Sequence, residues 1–371
     1  MKKIGIIAQF GKFGGTKTYM RMLLEYYYSQ RHNVIVFQDK SHLTNDVSDL
    51  IRKYRFTNII IPSKKYLFQK FPFNIYFDIV KLFPIIKTEK LDILVISDGP
   101  LINFIGLIIV CKNILYVVHT YPLEKLAIVY RCIVRYSIKF KNMNILTVSK
   151  YSKKMILNYC LDGKFDRAIK VIYHTIINTS SKRSYYNRYT DKKIVLTLGH
   201  VEQYKNPFVW ITVAKNIVLK KPNTQFIWVG NGALLKKCRE MIPQKYKKNI
   251  KFIGYRKEVG MFYSKAYIYF QPSIIESLGI SVIEAMKFGL PSVVSNAGGL
   301  PECVENKKNG YTVDPFNEIE MENKIIKLLS NKKIYTTMSM KTIKNYQKIF
   351  SRKEWSIQMN NLHKSILKNT S

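Results

Sequence analysis

The chain has 371 residues, more than one ordinary hydrophobic core holds, so two domains of roughly 150–200 residues are expected. A hydrophobic fraction of 47% excludes a low-complexity or disordered chain, and five scattered cysteines without CxxC spacing read as reduced, mostly buried thiols. The 61 Lys and Arg against 24 Asp and Glu leave a net charge of +37, which draws polyanions: nucleic acid, anionic lipid or phosphorylated small molecules.

Along the chain, KKIGIIAQF (2–10) reads as a buried strand, GKFGG (11–15) as a glycine-rich turn and TKTYMRMLLEYYYSQ (16–30) as a helix. NVIVFQ (33–38) returns as a strand, the order that begins a parallel sheet with right-handed crossovers. Further strands are expected at NIIIP (58–62), DILVIS (92–97), ILYVVH (114–119), NILTVS (144–149) and IKVIYH (169–174). The apolar run at 101–110 is far below the roughly 18–20 residues that span a bilayer. The N-terminal apolar stretch is too short for a signal peptide.

A polar stretch at 176–193 without apolar periodicity reads as the interdomain linker. The β/α rhythm then restarts with strands at 193–200, 225–230, 250–255, 266–273, 291–295 and 311–315 and helices near 207–219, 233–241 and after Gly279; the rest is helical. Two doubly wound α/β domains in tandem bind ligands at the carboxyl ends of their strands. That rule selects the loops after residues 10, 119, 199, 230, 254 and 273.

One of these loops carries ESLGISVIE (276–284), two acids at a fixed spacing in a basic chain. Glu276 sits on the loop, Gly279 makes the turn, and Glu284 lies on the following helix, about one turn or roughly 5 Å beyond its first amides. Such a helix start suits a phosphate, and a carboxylate one turn deeper suits a pair of vicinal hydroxyls. The spacing fits a ligand with hydroxyls at both ends and a diphosphate between, a nucleotide sugar; two unrelated acids on a solvated face fit the residues alone somewhat better.

The stretch PSIIESLGISVIEAMKFGLPSVVSNAGGLPECVENKKNGYTVDP (272–315) resembles the retaining glycosyltransferases of family four, through E-x7-E, EAM-x-x-G-x-P, GG-x-x-E and NG in order. FGKFGGTKTYMRML, NILTVSKYSKKMI, LTLGHVEQYKNP, WVGNGALL and FSRKEWSIQMNNLHKSIL extend the resemblance over nearly the whole chain. It implies the GT-B fold: an α/β protein of two Rossmann-like doubly wound domains facing a central cleft, with a C-terminal helix crossing back. The expected division is residues 1–182 with 352–371 as the acceptor side and 183–351 as the nucleotide-sugar side.

The resemblance also implies roles. Glu284 would hold the ribose hydroxyls, and the amides of Leu278, Gly279, Ile280 and Ser281 would face the diphosphate or sugar. Glu276 would contact the sugar near the reacting centre, and Lys205 would neutralise the leaving diphosphate. Gly14 and Gly15 would bring amides from the opposite domain, and His119 would touch the donor sugar. Three departures bear on rate and donor preference: His200 replaces an arginine, Asn206 a glycine, and His174-Thr175 an Asn-Gly pair. Tyr255 and Arg256, after a strand, are placed to stack on or bracket the base, or carry no role.

No DxD occurs, and none of the six histidines has metal spacing, so no metal and no cofactor beyond the donor are expected. Basic and aromatic residues interleave over 52–87 and 125–141, the composition of an interfacial membrane surface, a nucleic-acid surface or a solvated basic face. The implied activity is retaining transfer of a hexose-type sugar from a UDP- or GDP-type donor to a surface glycan or lipid-linked acceptor. The implied place is cytoplasmic, on the inner face of the cell membrane, without nucleic acid. A nucleotide-sugar 2-epimerase and a non-catalytic partner subunit stay open.

Overall fold

The computed structural model describes residues 1–8, 15–39, 45–61, 87–97, 111–122, 128–140, 142–176 and 192–368. Gly14, most of the linker stretch, the apolar run at 101–110 and most of the basic segment 52–87 lie outside them. The chain forms two units, Met1–His174 with Trp355–Ser371, and Thr175–Glu354.

The first unit is built on a seven-stranded sheet. Its strands are β1 (Lys3–Ala8), β2 (Asn33–Asp39), β3 (Thr57–Ile61), β4 (Ile93–Ser97), β5 (Ile114–Val118), β6 (Met143–Thr147) and β7 (Ile169–Val171). Their order is β3-β2-β1-β4-β5-β6-β7, and every pairing is parallel. Parallel strands are covered on both faces, which is why they read as continuous apolar runs such as ILVIS and ILYVV, not as alternation. From Trp355 onward, the closing helix Arg352–Lys368 belongs to this unit. Tyr26 OH donates to Asn360 Oδ1 (2.6 Å), Tyr27 OH meets His363 Nε2 (2.7 Å), and Trp355 stands edge-on to Tyr26 at 5.3 Å. Burial pushes His363 down to about 4, so its ring is neutral in this contact.

The second unit repeats the plan with β8 (Lys193–Leu198), β9 (Thr224–Val229), β10 (Ile250–Gly254), β11 (Ile268–Gln271), β12 (Ser292–Ser295) and β13 (Gly310–Val313), ordered β10-β9-β8-β11-β12-β13 and all parallel. Its core centres on Trp210, Phe226, Trp228 and Phe252, all buried, with Trp210 5.3 Å from Trp228 and Trp228 stacked on Phe252 at 5.4 Å. Buried indoles need a partner for their N–H. Trp210 donates to Thr197 Oγ1 (2.7 Å) and Trp228 to the Gly199 carbonyl (3.0 Å), so the core reaches up to the loop after β8.

Both sheets are α/β and doubly wound, as expected. In each, the order reverses beside the first strand: between β1 and β4, and between β8 and β11. Ligands of open α/β sheets lie beyond the carboxyl ends at such a reversal. In the second unit this selects the loops at 199–206 and 272–279.

Candidate active site

The loop after β8 closes with a single 3-10 turn, Gln203–Lys205, and then Asn206 at φ 58° and ψ 51°. This left-handed backbone is open to glycine and tolerated by asparagine, so Asn206 is one of the few replacements for glycine that keeps the turn. Its Nδ2 donates to the Pro315 carbonyl (2.9 Å), and helix Pro207–Lys220 starts directly after it.

The turn delivers Lys205 to Glu276. The Lys205 ammonium pairs with Glu276 Oε2, with the two side chains only 12% and 16% exposed. The same oxygen accepts from Gln271 Nε2 at 2.7 Å, and Gln271 Nε2 also reaches Ser273 Oγ at 3.2 Å. Gln271 Oε1 accepts from Ser281 Oγ and from Tyr269 OH, each at 3.0 Å. Tyr269 OH in turn accepts the Leu198 N–H (3.3 Å), linking the ends of β8 and β11.

The Glu276 loop is braced from both sides. Ile274 N donates to the Tyr204 carbonyl (2.8 Å), and Gly299 N to the Glu276 carbonyl (3.0 Å). Gly298 stands at φ 56°, and a Cβ there would lie 1.8 Å from the Glu276 carbonyl oxygen. The loop NAGGLPE therefore packs backbone to backbone against Glu276, which only glycine permits.

Gly279, at φ 101°, opens helix Ile280–Lys287. The first amides of a helix have no partner within it and carry its positive end. Leu278 is buried, while Ile280, Ser281 and Glu284 are half-buried. Glu284 Oε2 accepts from Tyr263 OH at 2.6 Å, and the same hydroxyl lies 3.1 Å from the Ser281 carbonyl. Burial lifts the Glu284 carboxyl above its ordinary range, against the pull of the Tyr263 hydrogen bond and of Lys287.

His200 is exposed on the loop after β8, and Tyr255, 52% exposed, follows β10. Backbone bonds tie these rims together: Val201 N to the Asn231 carbonyl (2.9 Å), Gly230 N to the Gly254 carbonyl (3.0 Å), and Tyr255 N to Asn231 Oδ1 (2.8 Å). In the first unit Gly15 is the first residue of helix Gly15–Ser29. His119 follows β5, with Nε2 3.1 Å from Ser97 Oγ and its ring edge-on to Tyr19 at 4.6 Å. Burial pushes it down to about 3, which keeps it neutral. Among the described residues no cluster of three or more His, Cys, Asp or Glu could hold a metal ion.

The structure thus brings Lys205 and Glu276 into direct contact and links Glu276 to Ser281 through Gln271, a residue that sequence reasoning missed. Its signal was present: a lone polar side chain closing the apolar strand IYFQ. Tyr263, on helix Gly260–Lys265, carried no such signal.

Residues 178–348 match the family described as glycosyl transferases group 1. A glycosyltransferase of Haemophilus influenzae is 27% identical over 294 residues, covering 75% of this chain and 79% of that one. Among solved structures, a glycosyltransferase from Rickettsia africae aligns with a TM-score of 0.83 at 19% identity, covering 99% of each chain. Anabaena Alr3699/HepE in complex with UDP and glucose aligns with a TM-score of 0.77 at 18% identity, covering 98% of this chain and 100% of that one. At these identities the structural likeness establishes the fold. This chain has the GT-B fold of these structures, and its residues 178–348 match the glycosyl transferases group 1 family.

Proposed function

We propose that the chain is a retaining glycosyltransferase of family four. It moves a hexose-type sugar from a nucleoside-diphosphate sugar to a hydroxyl of a surface polysaccharide, lipopolysaccharide or lipid-linked acceptor, without a metal. The observation that carries this reading is the Lys205–Glu276–Gln271 cluster beside a helix start, all at the sheet reversal of the second unit. A cation and free amides meet a diphosphate there, and carboxylates meet hydroxyls. Lys205 and the amides of residues 278–281 take the diphosphate, Glu284 the ribose and Glu276 the sugar. His200 and Tyr255 border the nucleotide. Gly14, Gly15 and His119 act from the first unit. The acceptor hydroxyl attacks on the face the phosphate leaves, and the departing phosphate takes its proton, so Glu276 orients and stabilises. The Anabaena structure, which holds UDP and glucose, supports the donor class.

A thermal-shift series over UDP-, GDP- and ADP-sugars tests this reading. A bound donor stabilises by about 2.7 kcal/mol at about 100 times its Kd. At least one nucleotide sugar is expected to raise Tm while the free sugar does not. No shift with any of them would remove the donor site.

The acceptor side has its own support. On helix Ile128–Phe140, Ile128, Tyr136 and Phe140 are 68%, 50% and 59% exposed, with exposed Cys132 between them at four-residue steps. That spacing places all four on one face. Arg131, Arg135 and Lys139 flank it, the two arginines pairing with Asp162. An exposed apolar stripe edged by cations suits the headgroup boundary of an anionic membrane and supports the reading that the protein works at the cytoplasmic face. No helix of the described residues is long and apolar enough to cross a membrane. The protein is expected to float with phosphatidylglycerol vesicles. Replacing Tyr136 and Phe140 together by Ser should cut the bound fraction roughly tenfold or more. Equal flotation of the variant would remove this surface from the interface.

A further inference from the structure

Gln271 is 1% exposed and uses its whole carboxamide. The amino group donates to Glu276 Oε2 (2.7 Å) and Ser273 Oγ (3.2 Å), and the carbonyl accepts from Ser281 Oγ and Tyr269 OH at 3.0 Å. An amide has two donor hydrogens and two acceptor lone pairs, so every place has a neighbour, with the single Tyr269 hydrogen shared between Gln271 Oε1 and the Leu198 carbonyl (3.2 Å).

Lys205 and Gln271 both engage Oε2 of Glu276, which leaves Oε1 as the oxygen available to a ligand. The Ser281 hydroxyl spends its only hydrogen on Gln271, so toward a ligand Ser281 offers its backbone N–H and oxygen lone pairs. One side chain thereby sets both the carboxylate on the loop and the first turn of helix Ile280–Lys287. The buried end of β11 fixes that side chain in turn, since Tyr269 OH joins it to Leu198 of β8.

We infer that Gln271 is a positioning residue that locks Glu276 and the start of helix Ile280–Lys287 into one geometry, so that sugar and diphosphate are held in register. This rests on the donor reading above. No other side chain of similar size supplies both functions beside a carboxylate. Methionine makes none of the four bonds. Glutamate, when ionised, sets a second negative charge against Glu276. When protonated it donates one hydrogen to Glu276 and keeps a carbonyl for Ser281 and Tyr269, losing only the Ser273 contact.

The test compares wild type, Gln271→Met and Gln271→Glu in two measurements. The first is thermal unfolding without donor from pH 5.5 to 8.5. In Gln271→Glu the Glu276 charge raises the introduced carboxyl above its unfolded value. Its stability is therefore expected to fall, relative to Gln271→Met, as pH rises through that range. The second is turnover of UDP-glucose, followed by UDP release. Gln271→Met is expected to lose about 10²-fold in kcat with KM for donor changed less than about threefold. Gln271→Glu should match that loss at pH 8.5 and recover to within roughly tenfold of wild type at pH 5.5.

A Gln271→Met enzyme within twofold of wild-type kcat, or a Gln271→Glu enzyme with the wild-type pH course, overturns the inference. Parallel loss of Tm and activity in both variants at every pH marks a purely structural residue and overturns it too. If wild type neither binds nor turns over any nucleotide sugar, the donor reading fails instead. The donor-free unfolding series then still reports whether Gln271 faces Glu276.

Discussion

Lys205→Ala is expected to lower kcat for donor turnover by about 10²–10³-fold, the scale of removing one fixed electrostatic stabiliser from a reacting centre. Lys205 forms an ion pair with Glu276, and the two side chains are only 12% and 16% exposed. A cation in so little water acts on a developing diphosphate charge far more strongly than one in bulk solvent. Its place is set by the left-handed turn at Asn206 and by the Ile274–Tyr204 bond that joins its loop to that of Glu276. The substitution also strands Glu276 with Gln271 as its remaining partner, so Tm should fall as well. Adding Glu276→Gln to Lys205→Ala should restore part of the lost Tm and none of the lost kcat. Groups in direct contact usually couple by about 0.5–3 kcal/mol, so a double-mutant cycle on Tm resolves the pair. Wild-type kcat in Lys205→Ala would remove the lysine from the reaction.

The fold was legible because parallel strands announce themselves. KIGIIA, ILVIS, ILYVV and KIVLTL are apolar runs bounded by polar or glycine residues, and they lie in the expected order of strand, helix, strand. Boundaries were less legible. AYIYFQPS reads as a strand to Ser273, yet β11 spans only Ile268–Gln271, since Pro272 has no N–H to give the ladder. IKVIYH reads as a strand to His174, and β7 ends at Val171, at the edge of its sheet.

The site was half legible. A helix start after Gly279 with Glu284 one turn on can be read from spacing, because both lie on one local element. The Lys205–Glu276 pair cannot, since its members are 71 residues apart and meet only because β8 and β11 are neighbours. The same holds for Gln271, whose partners Tyr269, Ser273, Glu276 and Ser281 surround it only once the loop has folded back. Asn206 shows the opposite error: as a letter it departs from a glycine motif, and as a backbone at φ 58° it preserves it. Chemistry at a fixed local spacing is readable, whereas chemistry assembled by sheet order is not.

Glu284→Gln is expected to raise the Tm of the donor-free protein while weakening donor binding about ten- to hundredfold. The two effects have one cause. Burial raises the Glu284 carboxyl above its unfolded value, so the native state prefers the protonated form. A raised carboxyl contributes its stability below the unfolded value, and loses it as pH rises through the folded one. At neutral pH the ionised side chain therefore works against folding, with Tyr263 OH (2.6 Å) as its compensating donor. A glutamine keeps an oxygen for Tyr263 and carries no charge, so the cost disappears. The gain should vanish as pH falls toward the unfolded value, where wild-type Glu284 is itself protonated. Binding moves the other way, because hydrogen bonds to a charged group contribute about 1.5–3 kcal/mol, and the ribose hydroxyls would lose their ionised acceptor. Unfolding curves across pH, paired with calorimetric titration of UDP, separate the two. A Tm that falls with Glu284→Gln, or an unchanged UDP affinity, would return Glu284 to the role of an ordinary half-buried helix residue.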